Sequence, residues 1–193
     1  PSIASYYAST FLNGNDYCSV LVKTREGRPI KIEGNTLSAI TRGGTSARAQ
    51  ASVVSLYDGS RSTTPRKGGE RTDWQTVDTE VSRQLAATSG AIVLLTGTVA
   101  SPSTLQVFND FKAKYPTTRH VTFDAVSYNG ITSANEQMFG KKAIPSYDFS
   151  KAQVIVGIGA DFLGTWVSPV EFTKQYVKNR KVSKEQPAMS THW

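Results

Sequence analysis

The five residues from Ala91 to Leu95 are apolar without interruption, and a strand of that kind has to be covered on both faces. Helical patterns flank it. Upstream, Trp74, Val77, Val81 and Leu85 share one stripe of a 3.6-residue period, Thr72-Asp73-Trp74-Gln75 matches a capping box, and Ser89-Gly90 stops the helix. Downstream, Ser101 supplies an N-cap, Pro102 fits the first helical position, and Leu105, Phe108, Phe111 and Tyr115 continue a stripe up to Pro116. Val121, Phe123 and Ala125 then alternate with Thr122 and Asp124 as a second strand. Ser133-Ala134-Asn135-Glu136 reads as the capping box of a short helix ending at Gly140, Lys151 to Ile158 as a third strand, and Ser168-Pro169-Val170-Glu171 as the start of a helix running to about Asn179. Strand alternating with helix predicts an α/β fold with a parallel sheet, three-layered and Rossmann-like, over residues 72–193.

The first third follows another period. Val20 and Val22 alternate with Leu21 and Lys23, Glu26-Gly27 turns the chain, and Ile30 and Ile32 alternate with Lys31 and Glu33, which predicts a hairpin over 17–33. Ala47 to Leu56 suits a short helix, closing an amino-terminal region at residues 1–57. Residues 58–71 carry almost nothing apolar and read as an exposed connection. Pro1 at the start, and an end at Met189-Ser190-Thr191-His192-Trp193 without helix or strand pattern, read as a piece of a longer chain.

Composition narrows the chemistry. Cys18 is the single cysteine among 193 residues, so neither an internal disulfide nor a site of several thiolates can form within the chain. His120 and His192 are the only imidazoles; His120 reads as a strand-opening rim residue, and catalysis by this segment is not expected. No apolar run approaches the roughly 20 residues of a membrane-spanning helix. The net charge is +7, but the basic groups Arg61, Arg66, Lys67 and Arg71, and Lys174, Lys178, Arg180, Lys181 and Lys184, lack interleaved aromatics and read as solvated surface. Gly157-Ile158-Gly159-Ala160-Asp161-Phe162-Leu163-Gly164 stands where a doubly wound sheet binds phosphate, yet Phe162 replaces the third glycine of the dinucleotide fingerprint, so a tight turn is the favoured reading. Asp124, Asp148 and Asp161 read as caps and loop acceptors. Trp74, Phe108, Phe111, Phe172 and Tyr176 read as core.

The stretch Tyr17-Cys18-Ser19-Val20-Leu21-Val22-Lys23-Thr24-Arg25-Glu26-Gly27-Arg28-Pro29-Ile30-Lys31-Ile32-Glu33-Gly34-Asn35 resembles the amino-terminal iron–sulfur region of molybdopterin oxidoreductases. In that family Cys-x-x-Cys-x-x-x-Cys precedes the hairpin, and a fourth Cys with a nearby basic residue follows it. With Cys18 as the third cysteine, the others fall on Phe11, Gly14 and Ser46, and Arg48 takes the basic position. The resemblance therefore implies a degenerate iron–sulfur domain, with Arg48, Gly157 and Gly159 as vestigial pterin-side positions. It implies no catalytic residue, no metal ligand and no cofactor in this segment. Ser127 and Ser133, near where a molybdenum ligand would stand, read as loop and cap residues.

Within the family, Ser46-Ala47-Arg48-Ala49-Gln50-Ala51-Ser52-Val53-Val54-Ser55-Leu56-Tyr57-Asp58 and the Gly157 to Trp166 stretch are similar to the large iron–sulfur subunits of bacterial alternative complex III. That implies a scaffold segment of a quinol-oxidising respiratory complex on the periplasmic face of the cytoplasmic membrane. Iron–sulfur clusters would lie in the rest of the subunit and haem c in partner subunits. The implied partners are a multihaem cytochrome c, quinol-binding integral membrane subunits and the remainder of its own subunit. Membrane association would run through those partners, with no nucleic acid. The alternatives are a segment of an active molybdopterin-dependent enzyme, opposed by the missing cysteines, and a basic nucleic-acid-binding module.

Overall fold

The computed structural model describes residues 3–14 and 16–193. The chain is mixed α/β and divides into two compact units, one of residues 1–61 with 146–193 and one of residues 62–145. The 72–193 stretch, read from sequence as one region, is thus shared between both units.

In the first unit, β1 (Ser5–Asn13), β2 (Asp16–Arg25) and β3 (Arg28–Gly34) form an antiparallel sheet in that order. The predicted hairpin is β2–β3, with Glu26 and Gly27 both at positive φ in its turn. β1 is a strand that the sequence reading omitted. One face of β2 is buried at Asp16, Cys18, Val20 and Thr24, the period-two spacing of a sheet with one face on a core. Against that face sits α1 (Ala47–Ala51), followed by a 3-10 turn over Ser52–Leu56. Cys18, Val20, Ile32 and Ala49 form the core here, with Phe11, Val22, Val53 and Val170 packed around them.

The later part of this unit holds β8 (Val154–Ile155), α5 (Pro169–Lys178) and β9 (Thr191–His192). The third predicted strand is thus cut to two residues; it pairs in parallel with β9, formed by the closing residues that carry no strand pattern in the sequence. The amide of Gly157 donates to the Trp193 carbonyl at 2.9 Å, and Gly159 turns to φ 63°, which ends the extended run. Ser168 is the N-cap residue of α5, with Pro169 inside the first turn. An aromatic core forms around Phe162, Phe172 and Ile155. Phe149 stacks on Phe162 at 4.4 Å between centroids and meets Phe172 edge-on at 5.0 Å.

The second unit begins with a miniature hairpin of β4 (Arg66–Lys67) and β5 (Glu70–Arg71), then α2 (Trp74–Ala87), β6 (Ile92–Thr96), α3 (Pro102–Lys114), β7 (Thr118–Thr122) and α4 (Asn129–Phe139). β6 and β7 pair in parallel around the α3 crossover, as the predicted strand–helix–strand order requires. The expectation that Ala91–Leu95 is covered on both faces fails. Ile92, Leu94 and Thr96 are half-buried, whereas Val93 is exposed and Leu95 is 68 % exposed, because within this unit the sheet has two strands. For the same reason no residue of α2 is buried, and Trp74 and Val81 of its apolar stripe face solvent. Trp74 is therefore not core. The α2 cap is Asp73, one residue after the predicted Thr72: its carboxylate accepts from the Thr76 amide at 2.8 Å. Ser101 caps α3 as predicted. α4 starts four residues before Ser133, which lies inside the helix and caps nothing, while Gly140 closes it in the left-handed conformation.

Candidate functional site

The β1–β2 pairing and the cap of α1 position the residues that the resemblance singles out. The β1–β2 register places Phe11 opposite Cys18, and Gly14, at φ 59°, lies in the turn joining these strands. Ser46 is the N-cap of α1: its hydroxyl accepts from the Ala49 amide at 3.1 Å, and Ala49 packs in the same core as Cys18. Cys18 itself is 0 % exposed. These positions do not fit a four-iron cluster. One thiol stands among them, Phe11 offers hydrocarbon, Gly14 offers no side chain, and the Ser46 oxygen is occupied as a cap.

Arg48 takes a role that the sequence reading did not provide for. Its Nε donates to Asp16 Oδ2 at 2.9 Å, and Asp16 is only 2 % exposed while the Arg48 side chain is 65 % exposed. The buried carboxylate fixes one edge of the guanidinium and leaves the rest facing solvent. Asp16 was missed, although extending the Cys18–Val20 alternation one step back places it on the same buried face. A groove of about 450 Å³ opens beside this pair, bounded by Ser46 and Arg48 on the α1 side and by Val170, Lys174 and Leu163 on the α5 side. Its lining sets the Asp16–Arg48 pair, Lys174 and the hydroxyls of Ser46 and Thr173 beside apolar Leu163, Val170 and Val177. Among the described residues, it lacks an imidazole or thiol that could move a proton or attack a carbonyl.

The glycine-rich loop is closed upon itself. The Asp161 carbonyl accepts from the amides of Gly164, Thr165 and Trp166, at 3.2, 3.1 and 3.0 Å, so these donors are spent within the loop. Phe162 is buried in the aromatic core, which places packing where the fingerprint has glycine. A Cβ on Gly164 would stand 2.4 Å from Asp161 Oδ2, so a side chain there would require the Asp161 carboxylate to turn away. A Cβ on Gly157 would meet His192 Nε2 at an ordinary 3.5 Å.

The other candidates are engaged in local contacts. Asp124 accepts from the Thr98 hydroxyl and from its amide, which hold its carboxyl below its ordinary value. Asp148 is held low by the Ser150 hydroxyl and amide as it caps a 3-10 turn. Ser127 accepts from the Asn129 amide at 3.2 Å. His120 does not open its strand. It sits mid-β7, half-buried, with Nε2 2.8 Å from the Thr96 hydroxyl and Phe108 edge-on at 4.9 Å. His192 lies against Tyr176 and Phe162. Of the basic groups, Lys67 pairs with Glu80 and Arg180 rests over the Tyr176 ring while donating to the Ser190 carbonyl. Among the described residues no three of His, Cys, Asp and Glu cluster with metal-binding geometry, and no helix is long and apolar enough to cross a membrane. The chain matches no family model and no curated protein.

Proposed function

We propose that this chain is a non-catalytic scaffold segment of the large iron–sulfur subunit of an alternative complex III, a quinol-oxidising respiratory assembly on the periplasmic face of the bacterial cytoplasmic membrane. In this reading, the strand–helix–strand unit belongs to a Rossmann-like region completed by the rest of the subunit. The segment holds no cofactor of its own, and electrons pass through iron–sulfur clusters elsewhere in the subunit and haem c in a partner. One observation carries the reading. Phe11 pairs with Cys18, Ala49 of the helix that Ser46 caps packs in the same core, and the lone thiol is fully buried against Val20, Ile32 and Ala49. That burial supports the reading of a cluster domain in which packing has replaced the metal.

The test is to tag this chain in its source organism, solubilise the membranes, and identify what co-purifies by mass spectrometry and haem staining. A multihaem cytochrome c and integral quinol-binding subunits in fixed ratio are expected. Recovery free of haem and of membrane subunits, or with nucleic acid in a salt-sensitive complex, would overturn the reading.

A further inference from the structure

The outer strand of the first sheet carries an inference independent of the scaffold reading. β1 is a nine-residue edge strand, Ser5-Tyr6-Tyr7-Ala8-Ser9-Thr10-Phe11-Leu12-Asn13, and neither a charge nor a proline occurs in it. Its register with β2 runs unbroken; the irregularity in this sheet lies between β2 and β3, at Lys23/Thr24. Folded proteins shield long edge strands with lysine, proline, a bulge or a covering element, because unpaired amides and carbonyls template another strand. The lysines, prolines and bulges that shield such edges are absent from β1, and every residue of it except Phe11 is exposed.

The side of β1 that is free can be read from the ladder. The Asn35 amide bonds the Ser19 carbonyl at 3.0 Å, so Ser19 directs that group to β3. Its β1 partner Thr10 is then a non-hydrogen-bonded partner, and alternation turns the backbone groups of Tyr6, Ala8, Thr10 and Leu12 to the open edge. On the faces, Tyr7, Ser9 and Phe11 stand opposite Val22, Val20 and Cys18. These β1 side chains therefore continue the buried face of β2 outward.

We propose that β1 pairs antiparallel with β1 of a second copy of this chain about a two-fold axis through Ser9. The strand is complementary to itself in that register. Tyr6 faces Leu12 and Ala8 faces Thr10 as hydrogen-bonded pairs, while Tyr7 faces Phe11 in the closer non-bonded pair, where aromatic contact is favourable. The self-complementary register argues for a second copy as the occupant, and charge does not oppose it. An uncharged strand meets its own copy without the like-charge opposition that β2 and β3, with Lys23, Arg25, Arg28 and Lys31, would suffer against theirs. The product is a continuous six-stranded sheet with a closed, isologous interface.

Light scattering coupled to size exclusion, from micromolar to millimolar chain, reads the result. A mass twice that of the chain is expected at the upper end. Thr10→Pro removes an edge amide, and Ala8→Lys places two like charges near the axis while leaving the β1–β2 hydrogen bonds intact; each should return the protein to monomer with unchanged far-ultraviolet circular dichroism. Should Thr10→Pro fail to fold, Ala8→Lys decides alone. A wild-type monomer throughout the series, a dimer indifferent to Ala8→Lys, or open-ended growth in place of a dimer would each overturn the proposal.

Discussion

Replacing Cys18 distinguishes a packing thiol from a vestigial ligand that still matters. The side chain is fully buried among Val20, Ile32 and Ala49, with Phe11 and Val22 beside it. Cys18→Ala removes one sulfur. A vacated volume on the order of 20 Å³ costs about 0.5 kcal/mol at the rate observed for core cavities. Losing one buried apolar group adds about 0.8 kcal/mol, so the total is roughly 1–1.5 kcal/mol. Cys18→Ser is close in size, yet it sets a hydroxyl among hydrocarbon. If that hydroxyl finds no acceptor, its desolvation adds about 1–3 kcal/mol to the lost transfer energy. Alanine should therefore be the milder change, although it leaves the larger hole. Urea unfolding of both variants with unchanged m-values measures the order. A serine variant as stable as the alanine variant, or more so, would refute the packing account.

Phe172→Ala should destabilise the first unit by roughly 3–5 kcal/mol, since the ring is 1 % exposed and joins Phe149, Tyr147 and Trp166; thermal and urea unfolding measure it. Arg48→Ala leaves the Asp16 carboxylate buried without its cation and should cost roughly 1–3 kcal/mol. The double variant with Asp16→Asn should recover part of that loss, and a purely additive double-mutant cycle would sink the pairing. Asp124 has its carboxyl lowered by the Thr98 hydroxyl and amide. Its contribution is therefore complete above the unfolded value of about 4 and is lost as pH falls below it through the folded value. Melting temperature followed from neutral pH to about pH 2.5 should fall less steeply in Asp124→Asn than in the parent below that value.

What could be read ahead of the structure depended on whether the determinant was local. Ser101-Pro102 and Gly140 mark helix ends because a hydroxyl acceptor, a fixed φ and a left-handed turn act within a few residues. The α2 cap moves by one because Asp73 and Thr72 are both good caps, and the choice depends on which oxygen reaches the Thr76 amide. The N-cap of α4 is Tyr128, which makes no side-chain cap bond, so the capping-box pattern points to Ser133 inside the helix. β1 shows no alternation, its run of Tyr6, Tyr7 and Ala8 being mixed on both faces; it becomes a strand through β2. Apolar runs indicate what a strand can bury, not what its unit supplies, and Leu95 is exposed for that reason.

Arg48 was singled out in the sequence, but its partner Asp16 was not. Asp16 and Arg48 are 32 positions apart, and nothing short of the β1–β2 register and the placement of α1 brings them together. A carboxylate at 2 % exposure is costly to desolvate, and the Arg48 guanidinium offsets that cost where a neutral neighbour would not. Four buried residues make a small core for the hairpin and α1, so a further tie between them adds to its stability. The Asp16–Arg48 pair crosses from the first residue of β2 to the first turn of α1. It joins β2 to α1, so these two elements are held by a charge-assisted hydrogen bond as well as by the packing of Ala49 with Cys18 and Val20.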